Sequence, residues 1–179
     1  MRAAPLAVTA LAAALLLTGC SDGKDSSGGD KTTASPSNGT TCRIESMDVE
    51  VGPASVAPAA GDSGNIPVTL TNQSAECTLD GFPGVDLNAA DSSASLSPTE
   101  GSPSAELTLA KGTAATFTLT YTRGEAGAKA SLDVKTLEIS LPGADTQKSF
   151  KWSYGPVQGK GDNAGDPNAS VGAFTQAGD

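Results

Sequence analysis

From Met47 onward the chain alternates apolar and polar residues. Met47, Val49 and Val51 flank Asp48 and Glu50. Ile66, Val68 and Leu70 alternate with Pro67, Thr69 and Thr71, and Val85, Leu87 and Ala89 with Asp86 and Asn88. Leu107 and Leu109 sit either side of Thr108. Ala115, Phe117, Leu119 and Tyr121 alternate with threonines, Leu137, Ile139 and Leu141 with Glu138 and Ser140, and Phe150, Trp152 and Tyr154 with Lys151 and Ser153. A period of two sends successive side chains to opposite faces of a strand, so each segment has one dry face and one wet face. β-Branched threonine suits the wet side.

The spacers are turn sequences: Gly52-Pro53, Gly61-Asp62-Ser63-Gly64, Gly81-Phe82-Pro83-Gly84, Lys111-Gly112, Arg123-Gly124 and Pro142-Gly143. Pro67 lacks the amide proton a central strand needs, which places it at an edge or a bulge. Phe82, held in a tight Gly-flanked corner, is expected to plug one end of the domain. Ala126 to Leu132 is the one candidate for a turn of helix. The pattern predicts an all-β, antiparallel, two-sheet sandwich of the immunoglobulin-like type, with about seven strands over residues 42–155.

Composition changes at both ends. Residues 21–41 contain Ser, Gly, Asp, Thr and Lys but no large apolar side chain. Such a segment cannot bury enough surface to offset its ordering entropy, and it is expected to be a flexible tether. Its r.m.s. reach is about 25 Å. Residues 156–179 are rich in Gly, Asn and Asp and are likewise expected to be a disordered tail, with Val171 and Phe174 as the side chains able to dock.

Residues 1–19 have the form of an export signal: Arg2, then an apolar run from Leu6 to Leu17 too short to span a bilayer comfortably. Leu17-Thr18-Gly19-Cys20 resembles the bacterial lipobox. In such signals the cysteine thiol takes up a diacylglyceryl group and becomes the first residue of the mature chain. Each buried methylene adds about 0.8 kcal/mol, so two acyl chains hold a protein firmly. Cys20 is therefore the expected lipidation site, and the outer face of the cell membrane, exposed to the cell-wall space, is the expected location.

The lipobox also settles the cysteine count. With Cys20 lipidated, two of the three cysteines remain. In an oxidising compartment Cys42 and Cys77 should form a disulfide tying the start of the domain to the exit of the second strand. A redox or metal pair is disfavoured, because there is no CxxC spacing and no histidine.

The stretch Leu70 to Leu87 carries Asn72, Cys77, Leu79 and Gly81-Phe82-Pro83-Gly84-Val85. It resembles the actinobacterial lipoprotein family called domain of unknown function 4232, in which a strand and an Asn-containing turn precede Cys-x-Leu and a Gly-aromatic-Pro-Gly-Val sequence. Leu107 to Tyr121 is similar to the family's strand, Pro-Gly turn and small-residue strand, and Cys42 stands where the family has its first cysteine. The departures are Lys111, where the family has Pro, and the missing Gly near Ser74. The resemblance covers residues 42–155 and implies an extracellular, often lipid-anchored β-sandwich. It supplies no activity and no catalytic residue.

Charge and chemistry narrow the function classes. The net charge is −9 and the pI about 4.3, which disfavours nucleic acid and anionic headgroups as direct partners. Gly61 to Asn65, "GDSGN", is similar to the nucleophile loop of chymotrypsin-like proteases. Without a histidine, Ser63 has no base to take its proton, so a glycine-rich turn is expected instead. Asp80, Asp86 and Asp91 lack the spacing of a calcium loop, and nothing pairs them as glycosidase carboxylates. Trp152, Phe150 and Tyr154 would make either an aromatic strip for a carbohydrate or peptide, or core; core is expected for Trp152. No cofactor or metal is expected. The leading reading is a non-catalytic, monomeric binding or interaction module whose partner is an envelope protein or polysaccharide. An accessory lipoprotein without a specific ligand comes second and a hydrolase third.

Overall fold

The structure is a computed structural model that describes residues 40–55, 58–161 and 163–178. The segment expected to be an export signal, Cys20, and the expected tether up to residue 39 lie outside the described residues. Among those described, no helix is long and apolar enough to cross a membrane.

Among the described residues, a 3-10 turn (Ile44–Ser46) is followed by fifteen strands. They are β1 (Met47–Val51), β2 (Ser63–Asn72), β3 (Cys77–Leu79), β4 (Gly84–Asn88), β5 (Ser93–Ser95), β6 (Ser97–Pro98), β7 (Leu107–Leu109), β8 (Ala114–Thr122), β9 (Ser131–Leu132), β10 (Thr136–Ser140), β11 (Gln147–Lys151), β12 (Val157–Lys160), β13 (Asn163–Pro167), β14 (Ala169–Val171) and β15 (Thr175–Gln176). Six of the alternating segments are strands; the seventh is strand only as far as Lys151, leaving Trp152 and Tyr154 beyond β11, and Ala126 to Leu132 is turn and strand, with no helix.

One sheet runs β1-β2-β8-β14-β6, with β15 also on β8; the second runs β11-β10-β4-β5. The ribbons β13-β12-β9 and β3-β7 complete the fold. The long β2–β8 ladder aligns Ile66 with Leu119, Val68 with Phe117 and Leu70 with Ala115, and all six are buried. From the second sheet, Leu137, Ile139, Val85 and Leu87 are buried in the same core. Burying each such leucine, isoleucine, valine or phenylalanine stabilises by about 1.5–3 kcal/mol.

Three expectations need correction. Residues 156–179 are not a loose tail: 157–176 form four strands, and Val157 (0% exposed), Val171 (0%) and Phe174 (3%) are core. β14 and β15 pair with β8, and Phe174 meets Phe117 edge-on at 5.7 Å. The pairing is also not wholly antiparallel, because β14 runs parallel to β6. Finally, Pro83 rather than Phe82 is buried in the Gly81–Gly84 corner.

Pro67 lies inside β2, between β1 and β8, and the reason is local. Gly52, just beyond β1, stands opposite Pro67 and donates its amide to the Pro67 carbonyl (2.9 Å). The reciprocal bond cannot form, since proline has no N–H. The Tyr154 hydroxyl donates to the Gly52 carbonyl instead, at 2.6 Å.

Asn72 ends β2 as a fully buried polar side chain. Its Nδ2 donates to the carbonyls of Ala75 (2.9 Å) and Leu109 (3.0 Å), and its Oδ1 accepts from the Ser74 amide (2.9 Å). One amide thus closes the turn after β2 and fastens it to β7. Nearby, Cys42 and Cys77 are joined in a disulfide with Cα atoms 4.9 Å apart. Cys42 precedes the first strand rather than opening it; the chain there pairs alongside β3, with Cys42 donating to Thr78 O (2.9 Å) and Thr78 to Thr40 O (3.0 Å).

Candidate functional site

The inward row of β8 is Ala115, Phe117, Leu119 and Tyr121, all buried. Two residues further along the same row stands Arg123. Its backbone keeps the strand direction: its amide donates to Asp62 O (2.8 Å), its carbonyl accepts from Gly61 (2.8 Å), and it bridges to Val157. An inward position at the strand's end thus delivers a guanidinium to the rim of the core. There it packs on Gly155, which has φ 80° and no Cβ to push the guanidinium away. Among the described residues the guanidinium makes one long hydrogen bond, Nη1 to Pro58 O at 3.5 Å. The three ion pairs among the described residues, Arg43–Glu45, Lys135–Asp133 and Lys160–Asp166, leave Arg123 without a carboxylate.

Arg123 lines a groove of about 450 Å³ together with Val51, Gly52, Pro53, Tyr121 and Tyr154. The aromatic side chains are fixed. Trp152 lies edge-on to Tyr121 (5.4 Å between ring centres) and to Tyr154 (4.8 Å). Tyr121 donates to Tyr154 O at 3.1 Å, and Trp152 Nε1 donates to Gly155 O. Gly64, opposite Tyr121 across the ladder, has no Cβ, which leaves space for the Tyr121 ring. Burial raises both tyrosine pKa values above the ordinary 10.0; the Arg123 charge pulls Tyr121 the other way by less. Both hydroxyls therefore hold their protons at neutral pH and act as donors.

Among the described residues, one side of β1 has no strand beside it. Ladder parity shows this: Ser46 accepts from Gln73 and Gly52 donates to Pro67, so the even-numbered residues between them face β2. The amides and carbonyls of Val49 and Val51 point the opposite way, where β1 has no strand partner among the described residues. The Met47 carbonyl, on that same side, accepts from Lys148 Nζ of β11. Val49, Val51 and Phe150 are half-buried against the core, and β1 leads into the groove at Val51.

The sequence-selected residues are scattered by comparison. Ser63 is exposed at the start of β2, opposite Thr122, after a turn in which Asp62 accepts from the Ala59 amide (3.2 Å). Asp86 lies on β4, accepting from Ser95 and from Gln147 (2.8 Å); Asp80 follows β3 and Asp91 lies in the β4–β5 turn. Among the described residues no three of His, Cys, Asp and Glu gather where a metal ion could be held. Trp152 is core at 5% exposure, Phe150 ends up half-buried on β11, and Tyr154 is in the bend beyond it, so the three do not form one exposed strip. Arg123-Gly124 reads as a turn in the sequence, whereas Arg123 continues β8. The signal that identifies it is a charge at the next inward position after Tyr121.

These features define a disulfide-closed, all-β sandwich domain with a basic groove at one end. Residues 42–175 match the family described as Domain of unknown function (DUF4232), and the chain belongs to that family. No curated protein and no solved structure matches it.

Proposed function

We propose that this chain is a non-catalytic binding module, anchored by lipid on Cys20 to the outer face of a bacterial cell membrane and acting as a monomer. The observation that carries the binding role is the edge of β1 running into the Arg123 groove: backbone groups with no strand partner and a cation with no carboxylate, among the described residues, lie side by side. Both are costly to leave without partners unless something binds there or water serves them. Both tyrosine hydroxyls keep their protons and donate them within the chain, to Tyr154 O and Gly52 O, which holds the groove wall in place rather than serving proton transfer. The lipobox at Leu17–Cys20 and the polar tether support the anchor. The Cys42–Cys77 bridge suits an oxidising compartment.

A photo-crosslinking residue in place of exposed Ser153, at the groove, tests the binding role in intact cells, with the same residue at Lys111 as control. A reproducible neighbour captured from position 153 and not from 111 is the expected result. The same background from both positions would leave an accessory lipoprotein without a specific ligand. The anchor is tested by Cys20→Ala, which should release the protein to the medium or leave it unprocessed; continued lipid labelling of that variant refutes it.

A further inference from the structure

The bare edge and the groove are continuous, and their charges select both the ligand and its direction. The free segment is short. Lys148 occupies the Met47 carbonyl, so the backbone on offer is that of Val49 and Val51, followed directly by the groove. Two residues of free edge suit three or four residues of extended chain rather than a whole sheet.

A second copy of this chain is a poor occupant. Antiparallel pairing of two β1 edges centred on their free groups would set Glu50 opposite Glu50 and Asp48 close by, like charges directly facing one another on an exposed sheet surface. An added strand with basic side chains beside Asp48 and Glu50, and apolar ones beside half-buried Val49 and Val51, has complementary charge on the wet face and burial on the dry one.

Direction follows from Arg123. β1 runs toward the groove, so a strand lying antiparallel to it would bring its own N-terminal ammonium to the guanidinium, where the two repel. A strand lying parallel brings a C-terminal carboxylate, whose two oxygens match the guanidinium fork. The Tyr154 and Tyr121 rings flank that point, and Arg123 has no acidic partner of its own among the described residues.

We infer that the β1 edge and the Arg123 groove together take the C-terminal end of an extended protein segment, parallel to β1, with its terminal carboxylate on Arg123. This deepens the binding-module reading and rests on it. Main-chain hydrogen bonds to Val49 and Val51 supply affinity, and alternate side chains supply selectivity.

The test uses the full chain in mild detergent and an N-terminally labelled peptide, Lys-Val-Lys-Val-Val, prepared as the free acid and as the C-terminal amide. Fluorescence anisotropy should show the acid binding about tenfold or more tighter than the amide, the weight of one charge-assisted contact. Arg123→Gln should abolish that difference, leaving both forms equally weak, while Lys111→Gln leaves it intact. Glu50→Lys should weaken the acid without removing its advantage over the amide. Equal binding of acid and amide to the unaltered chain overturns the inference, and so does absence of binding by either. The module reading fails separately, on the position-153 crosslink: a neighbour captured there with no preference for a free C-terminus refutes the ligand and keeps the module.

Discussion

The Tyr154 hydroxyl donates to the Gly52 carbonyl at 2.6 Å, where the β1–β2 ladder would otherwise take an amide from Pro67. A residue 102 positions away in sequence thus completes a strand pairing that proline interrupts. Tyr154→Phe should cost about 1 kcal/mol, the weight of one hydrogen bond at a half-buried acceptor. Pro67→Ala supplies an amide at the same point, so the cost of Tyr154→Phe should shrink in a Pro67→Ala background. Urea midpoints of the four proteins in the cycle measure this. Equal costs in both backgrounds would mean that the tyrosine and the proline are not linked.

Tyr121 and Tyr154 tie stability to alkaline pH. Burial raises both pKa values, so the folded chain holds these protons more tightly than the unfolded chain does. The associated stability is complete below the unfolded value near 10.0 and is lost as pH rises through the folded values. Denaturation midpoints should hold from neutral pH to the ordinary tyrosine range and fall beyond it. The fall should be shallower in Tyr154→Phe. Trp152, the chain's one tryptophan, sits in ring contact with both tyrosines and reports the transition by its fluorescence.

The C-terminal strands show what the pattern hides. β2, β8 and β10 announce themselves by long alternation, whereas β12 to β15 read VQGK, NAGDP, ASV and TQ, short and mostly polar or small. Three apolar anchors, Val157, Val171 and Phe174, are spaced too irregularly to register as a period, and backbone pairing with β8 and β9 supplies the rest. Truncation after Gly155 should therefore prevent stable folding. Phe174→Ala alone should cost about 3–5 kcal/mol, through lost burial and a cavity beside Phe117. Limited proteolysis checks both: an intact core after truncation would contradict the pairing of β14 and β15 with β8.

Asn72 belongs to the stretch that resembles the family, and the structure gives its physical reason. The side chain is fully buried and its amide meets four partners, including Leu109 O from another strand and the Ser74 Oγ at 3.2 Å. Asn72→Leu keeps the volume roughly but strands two carbonyls and an amide, and should cost about 2–3 kcal/mol. Asn72→Asp should be no milder, because a carboxylate cannot donate to Ala75 O and Leu109 O. Thermal melts of the two variants rank these effects; a stabilised leucine variant would show that burial outweighs the lost bonds.

The groove was legible only in part. The inward row of β8 could be read to Tyr121, and Arg123 is its continuation, but Arg-Gly also reads as a turn. Backbone bonds to Gly61 and Asp62 on one side, and the pairing with Val157 from the segment expected to be a tail on the other, show that the strand carries on. The bare edge of β1 could not be read at all, since strand order is set by contacts distant in sequence. Pro67 pointed to an edge, and the ladder does stop there, on the partner strand rather than on its own.

The disulfide should supply a large share of the domain's net stability. It joins residues separated by 35 positions, and closing a loop of that size removes unfolded-state entropy equivalent to about 4 kcal/mol in the chain-entropy model. Domains of this size are commonly stable by only about 5–15 kcal/mol. The bridge also holds Cys42 against Thr78, so its loss frees the chain ahead of β1 along with the link to β3. Cys42→Ala with Cys77→Ala should lower the unfolding free energy, obtained from urea titration, by most of that amount, and dithiothreitol should have the same effect once the chain is unfolded. In the folded state both cysteines are buried, at 2% and 5% exposure, so reduction there should be slow and limited by opening of the β3 ribbon. Midpoints that do not change on reduction would show that the pairing alongside Thr78 holds without the bond.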